Sequence, residues 1–212
     1  MRYGAVFSRL AHCRGGGTAA EFALVLPLFL FFLFGIIDGG RLLWEINQAE
    51  KATQVGARFA IVTDPVSPDL VDADYTSGTV AAGDLIPHTE LGTLRCSSTT
   101  CDCPVSPCPG GGTVNSAAFS IIATRMQAIH SGITADKVRI RYSGSGFGYA
   151  GDPVGGGGGA GATETMEVSP LVTVSVTGLQ FRPITLLLLR TITLPDYHTT
   201  LTAEDASGAY SN

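Results

Sequence analysis

The sequence predicts an α+β protein in which a long N-terminal helix spans a membrane and continues into a small outer domain. Three observations predict this fold: an apolar run covers residues 22–44, small residues recur at helical spacing over 49–60, and residues 138–142 and 172–177 alternate between apolar and polar types. Helical faces repeat every 3.6 residues, whereas half-buried antiparallel strands alternate with a period of two. We therefore expect one long helix, a second helix and an antiparallel sheet of roughly three strands.

The apolar run from Phe22 to Trp44 is close to the roughly 20 residues that a membrane-spanning helix needs. Arg2, Arg9 and Arg14 all precede the run, so the positive-inside rule places the N terminus in the cytoplasm and the following domain outside. In a secretory signal peptide the small residues follow the apolar core, whereas here they precede it. The sequence therefore predicts a retained single-pass anchor with its N terminus in the cytoplasm.

The charge balance argues against one class of partner. The chain has 13 Lys and Arg residues against 18 Asp and Glu residues, with a formal net charge of −5. A nucleic-acid binder presents a concentrated basic stripe, and the basic residues here are few and scattered. Nucleic acid is therefore not an expected partner.

A short motif lies directly before the apolar run. Gly16-Gly17-Thr18-Ala19-Ala20-Glu21-Phe22 resembles the prepilin processing motif of tight-adherence (Tad) pilus systems, most closely that of the TadE-like minor pilins. The resemblance implies that a prepilin peptidase cuts between Gly16 and Gly17. Residues 1–16 would then be a cytoplasmic leader, and residues 17–61 would form the long N-terminal helix.

The resemblance also implies a role for the one carboxylate of the motif. Glu21 would pair with the N-terminal amine of a neighbouring subunit, and with Phe22 it would dock the subunit during assembly. A charged side chain within a membrane is costly unless a partner compensates it. The resemblance thus implies a protein with a pilin-like fold that takes part in assembling a Tad pilus used for surface adhesion. It would act in initiation of the pilus, at its tip or at its base. The implied partners are the other major and minor pilins of the system, the prepilin peptidase and the inner-membrane assembly platform.

Two other functions compete with this interpretation. Glu21 could mark the aqueous boundary of an uncleaved anchor, in which case the chain is a membrane-anchored envelope binding module. An envelope enzyme is disfavoured because the four histidines lie at no metal-ligand spacing and no nucleophile elbow is present. We therefore expect no catalytic residues, no metal site and no cofactor.

The second half of the long helix has a flank of small residues that would allow another backbone to approach closely. This predicted packing flank comprises Ala49, Ala52, Thr53, Gly56, Ala57 and Ala60.

The remaining chain, residues 62–205, is expected to form the extracytoplasmic domain, followed by a tail over 206–212. Residues 63–112 are rich in turn-forming residues and are interpreted mainly as loop. A second helix is expected over 116–131. Strands are expected at 138–142, at 172–177 and, more weakly, over 191–203, with a glycine-rich loop over 143–165.

Four cysteines lie within the loop, in a segment that the topology places outside the cytoplasm. Such a compartment favours disulfides, and four cysteines allow three pairings. A zinc site is the alternative, but the spacing lacks the usual C-x2-C pairs. The sequence therefore predicts a disulfide-stapled loop over 96–108, held by Cys96, Cys101, Cys103 and Cys108.

Overall fold

The computed structural model of the 212-residue chain describes residues 17–76, 79–109, 111–151, 166–184 and 191–203. The expected leader at 1–16, most of the glycine-rich loop and the expected tail at 206–212 lie outside the described residues. Within them the fold is α+β, with a long apolar N-terminal helix, a second helix and an antiparallel sheet, so the predicted fold class is confirmed.

Helix α1 runs without interruption from Gly17 to Ala60. Its residues belong to two compact units: the first contains residues 17–44, 182–184 and 191 of the described chain, and the second contains the other described residues. In the first unit the helix is apolar around its whole circumference. In the second unit, small residues on one flank of the helix are buried. The boundary between the two units at residue 45 coincides with the end of the apolar run at Trp44.

The second unit is built on a five-stranded antiparallel sheet with the strand order β2-β1-β3-β4-β7. A separate pair, β5 and β6, makes a two-stranded sheet. The five strands are β1 (Thr93–Cys96), β2 (Cys101–Val105), β3 (Val138–Ser143), β4 (Leu171–Val176) and β7 (Tyr197–Thr202), and the pair consists of β5 (Gln180–Phe181) and β6 (Ile192–Thr193).

The register of the strands shows which residues share a face of the sheet. Ile140 of β3 lies opposite Val174 of β4, which lies opposite Thr199 of β7. Because successive side chains of a strand point to opposite faces, this row belongs to one inner face. The inner face carries the core of the unit, including Leu94, Cys96, Val138, Ile140, Tyr142, Val172, Val174, Val176 and Tyr197, all buried.

Helix α2 (Ser116–Ile129) begins at Asn115, whose side-chain oxygen accepts a hydrogen bond from the Ala118 amide at 3.1 Å. Such an N-cap satisfies one of the backbone donors left open at the start of a helix. The expected second helix is therefore present, although it ends two residues before the predicted end at 131. Its core-facing residues are Ala118, Phe119, Ile122, Ala123 and Met126.

Residues 63–112 hold more regular structure than the sequence indicated. The interpretation of this region as mainly loop was wrong over β1 and β2, which form a hairpin and add two strands to the sheet. The hairpin turn is closed by Ser97, whose amide donates to the Thr100 carbonyl at 2.8 Å. The alternation of buried and exposed residues in β1 is only four residues long. Such a short pattern could not be distinguished from the turn-forming residues around it.

Candidate membrane anchor and subunit-docking site

The first half of α1 exposes an apolar surface whose contact with water would be energetically unfavourable. The helix is long and apolar enough to cross a membrane, and its most apolar window has a mean hydropathy of 2.5 with none of it buried. A helix that is hydrophobic all round needs either a protein core or lipid around it. The exposed large side chains are Phe22, Leu24, Val25, Leu28, Phe29, Leu30, Phe31, Phe32, Leu33, Phe34, Ile36, Ile37, Leu43 and Trp44.

The residues of the processing motif lie at the start of this helix. Gly17 is its first residue, and both Glu21 and Phe22 are exposed one turn later. Gly16 lies outside the described residues, so the expected cleavage position is described on one side only. Glu21 directly precedes the apolar run, and its side chain is exposed in the described structure.

A second carboxylate lies near the other end of the apolar run, and here the structure supplies its partners. Asp38 is 6% exposed, and its Oδ1 accepts a hydrogen bond from the Ile184 backbone amide at 2.8 Å and one from Arg41 Nη1 at 3.2 Å. A buried carboxylate is tolerated when donors compensate it. Asp38 therefore tethers the segment around Ile184 to the helix within the first compact unit.

Sequence reasoning missed this tether. An aspartate inside an otherwise apolar run was visible, and it signals that the side chain has a specific partner. The partner could not be identified, because Ile184 is 146 positions away along the chain and donates through its backbone.

In the second unit, the structure places all six residues of the predicted packing flank in buried positions. Ala49, Ala52 and Ala57 are fully buried, and Thr53 and Ala60 are nearly so. Gly56 is buried as well. The partner of this flank is the protein's own core, since the Thr53 hydroxyl lies 3.1 Å from that of Thr199 on β7.

Gly56 marks the closest approach within this packing. A Cβ atom added at Gly56 would lie 2.6 Å from Met126 Sδ of α2 and 3.2 Å from Val174 Cγ1 of β4. Contacts this short require the neighbours to move. The absence of a side chain at Gly56 therefore allows α1 to lie against both α2 and the sheet.

A polar contact joins the same two helices at the start of the second unit. His130, which follows the last residue of α2, places Nε2 2.5 Å from Glu45 Oε2 of α1. The other ring nitrogen, Nδ1, accepts a hydrogen bond from the Gly132 amide at 3.0 Å. Because Nδ1 accepts, Nε2 carries the proton and donates it toward the carboxylate. The histidine ring thus bridges a backbone turn and the long helix.

Two buried tyrosines support the loop that precedes the hairpin. The Tyr142 hydroxyl accepts a hydrogen bond from the Val66 amide at 2.9 Å, and burial raises the pKa of Tyr142 above its usual value. Burial, reinforced by the negative charges of Glu167 and Glu90, raises the pKa of Tyr75 to about 12. The Tyr75 hydroxyl is buried with no hydrogen-bond partner in the described part of the chain.

The structure also pairs the four outer cysteines. Cys96 bonds to Cys101 across the β1–β2 hairpin, and Cys103 bonds to Cys108 just beyond it. Of the three pairings open from the sequence, the observed one joins neighbours along the chain. The predicted stapled loop over 96–108 is therefore a disulfide-bonded hairpin and the turn that follows it.

A bound metal ion would need a cluster of ligating side chains. Within 17–76, 79–109, 111–151, 166–184 and 191–203, no group of three or more His, Cys, Asp or Glu side chains is placed to hold a metal ion. What the arrangement offers is an apolar anchor, a carboxylate at its start and a folded domain on its far end.

Comparison with known proteins identifies the first part of the chain. Residues 16–58 match the family described as TadE-like protein. No curated protein and no solved structure matches the chain. The matched segment begins at the expected cleavage position and includes the apolar run and most of the packing flank.

With an apolar helix able to cross a membrane, this match indicates a membrane-anchored envelope protein with a pilin-like role. The predicted family resemblance is confirmed over this segment, because residues 16–58 match the TadE-like family.

Proposed function

We propose that this protein is a TadE-like minor pilin that takes part in assembling a Tad-type pilus, in initiation, at the tip or at the base, and so in adhesion to surfaces. The observation that carries the proposal is the match over residues 16–58, which spans both the processing motif and the anchor. The exposed apolar surface of α1 supports it, because the same surface suits a bilayer before assembly and a bundle of pilin helices afterwards.

In this proposal a prepilin peptidase removes residues 1–16 on the cytoplasmic face and leaves Gly17 as the new N terminus. Glu21 then lies one helical turn from a free amine. An ion pair with the N-terminal amine of a neighbouring subunit would compensate the carboxylate within the membrane. Glu21 and Phe22 thereby set the position of this subunit along the helix bundle.

The proposed partners are the other major and minor pilins, the prepilin peptidase and the inner-membrane assembly platform. The protein would lie in the inner membrane as a single-pass subunit with a cytoplasmic N terminus, and later in the pilus or at the cell surface. No enzymatic activity and no cofactor belong to this role.

The test is the N-terminal residue and intact mass of the protein taken from its native membrane, with and without the prepilin peptidase. We expect a start at Gly17 that depends on the peptidase. Gly16→Leu should block processing, because the peptidase acts on the bond that follows this residue. Gly15→Leu is the matched control and should still be processed.

An uncleaved chain in cells that contain the peptidase would contradict the proposal. The alternative would then be a membrane-anchored envelope binding module that acts through its outer domain. The disulfide-bonded hairpin favours that second function, since it gives the domain a rigid outer element without any need for assembly.

A further inference from the structure

The outer face of the five-stranded sheet carries a cluster of positive charge that the anchor does not use. Arg95 of β1 lies directly opposite Arg141 of β3, and Arg139 is two positions from Arg141 on the same face. Like charges directly opposite each other on a sheet are unfavourable. We call Arg95, Arg139 and Arg141 the arginine face.

The positive charge of this face is only partly compensated. Arg95 pairs with Asp102 at 2.7 Å, and Arg139 donates to the backbone carbonyls of Asp136 and Val138. The side chain of Arg141 is exposed and makes no hydrogen bond or ion pair within the described residues. Such an arrangement in a chain with a net charge of −5 leaves a guanidinium available to an acidic or aromatic partner.

A surface of matching chemistry lies elsewhere on the same unit. Leu85 and Tyr149 face each other in an antiparallel bridge and are 52% and 51% exposed, and Phe147, two residues before Tyr149, is 62% exposed. Asp84, next to Leu85, is also exposed. We call Asp84, Leu85, Phe147 and Tyr149 the acidic-aromatic patch.

Backbone geometry turns the bridging side chains of this patch outward. Ile86 and Ala150, the residues that follow Leu85 and Tyr149, are fully buried. The Ile86 amide donates to the Gly148 carbonyl at 3.0 Å, and the Ala150 amide donates to the Asp84 carbonyl at 2.9 Å. Because neighbours along an extended strand alternate sides, the burial of Ile86 and Ala150 fixes the outward direction of Leu85 and Tyr149.

The chain segment that contains Asp84 and Leu85 is acidic. Between Arg58 and Arg95 the chain contains no Lys or Arg. Carboxylates occur at six positions in that stretch, namely Asp64, Asp69, Asp72, Asp74, Asp84 and Glu90. Guanidinium groups bind carboxylates and stack on aromatic rings, so the patch offers both kinds of partner that arginine prefers.

We propose that the arginine face of one copy of this protein receives the acidic-aromatic patch of a second copy. The patch lies at residues 84–85 and 147–149, whereas the arginines lie on β1 and β3, so the two surfaces are made of different residues. A contact between two different surfaces repeats from copy to copy and builds a ring or a helical filament.

The proposal rests on the proposed pilin role, which supplies its purpose, but the contact itself does not require removal of the leader. Cross-linking of an unprocessed chain would separate the two ideas: processing could fail while the contact holds, and the contact could fail while processing occurs.

The test places a photo-reactive benzophenone amino acid at position 149, in place of Tyr149, in the full-length chain in its membrane. We expect a cross-linked dimer in which the second peptide contains Arg139 or Arg141. High salt should reduce the yield of this cross-link, because it screens the charges of the contact. The Debye length falls to about 3 Å at roughly 1 M ionic strength. Cross-links that map elsewhere on the chain, or to a different protein, would overturn the proposal.

Charge reversal tests the complementarity of the two surfaces. Arg141→Glu and Asp84→Arg should each lower dimer cross-linking about tenfold, because like charges then meet across the contact. A mixture of the two variants, with the probe on Arg141→Glu, should restore cross-linking between them, since each variant keeps one wild-type surface. Restoration would also show that both variants are folded.

Lys51→Glu is the matched control. It makes the same change in charge at an exposed position of α1 and should leave the dimer unchanged. Equal loss in this control, or a mixture that stays monomeric, would show that the arginine face does not receive the patch.

Discussion

Gly56 and Met126 meet so closely that a single methyl group on the glycine would lie 2.6 Å from the methionine sulfur. The contact joins the long helix to α2 at a position where Val174 of the sheet is also near. The outer domain therefore depends on a missing side chain in α1.

Gly56→Ala is expected to lower the free energy of unfolding by about 1–3 kcal/mol, which is the usual cost of overpacking a core. Gly56→Leu should lower the free energy of unfolding further, because leucine is larger than alanine. Met126 is flexible and can move aside, but Val174 is branched at Cβ and leaves less room. Thermal unfolding of the full chain in detergent, followed by circular dichroism, measures both changes.

Gly39→Ala is the control for this prediction. An added Cβ at Gly39 meets nothing within 4 Å, and alanine is the better helix former by about 1 kcal/mol. The melting temperature should therefore stay level or rise. A fall as large as that of Gly56→Ala would show that helix glycines in general, and not this contact, carry the effect.

Asp38→Leu should release the segment around Ile184 from the helix. The Ile184 amide would lose its acceptor, and a hydrogen bond to a charged group contributes about 1.5–3 kcal/mol. Hydrogen exchange at the Ile184 amide is the direct measurement, and it should speed up. Asp38→Asn keeps an acceptor oxygen and should retain most of the protection; equal exchange in the two variants would contradict the tether.

Alkaline pH should destabilise the outer domain, and the sign follows from the raised tyrosine pKa values. Tyr75 has a pKa of about 12 in the fold against an ordinary value of 10.0, so the unfolded chain loses this proton first. The contribution to stability is complete below pH 10 and disappears as the pH rises from 10 to 12. Tyr142 acts in the same direction.

Tyr75→Phe and Tyr142→Phe separate this pH effect from hydrogen bonding. Tyr75→Phe should reduce the alkaline loss with little change at neutral pH, because its hydroxyl has no partner in the described chain. Tyr142→Phe should also lower stability at neutral pH, by about 1–3 kcal/mol, since the Val66 amide loses its acceptor. Denaturant unfolding across pH 7 to about 12 measures both. Tyr149→Phe, at an exposed position, is the control.

Glu21→Ala tests the proposed docking role. We expect normal folding and membrane insertion, because Glu21 is exposed on the helix, but no incorporation into pili. Fractionation of sheared pili and membranes gives the distribution of the protein. Glu50→Ala removes an exposed carboxylate farther along the same helix and should leave piliation unchanged. Piliation of the Glu21 variant at the wild-type level would refute docking through this residue.

The parts of the fold that the sequence predicts are those encoded by local patterns. The apolar run, the stripe of α2 and the alternation of β3 and β4 each repeat within a few residues, and each produced a correct element. The weaker strand expected over 191–203 corresponds to β6 and β7, which are separated near Pro195. Proline lacks the amide proton that a strand donates, so the interruption of the strand at Pro195 could be predicted from the sequence.

The parts that could not be predicted depend on contacts between distant positions. The carboxylate of Asp38 was visible, but its backbone donor at Ile184 was not. Arg95, Arg139 and Arg141 were scattered charges in the sequence, and they became a cluster only when β1 paired with β3. Register, and not composition, brings them together. The cysteine pairing likewise required the hairpin.

That pairing has a consequence for how the protein matures. Each disulfide joins a cysteine to the next one along the chain, so the bonds can form in order as the polypeptide emerges from the translocation channel. In the proposed orientation Cys96 and Cys101 leave the channel before Cys103 and Cys108, so both thiols of the first pair are the first to reach an oxidising compartment. The order of export therefore favours the observed pairing over the two others, and a thiol oxidase can form both bonds without breaking an earlier one.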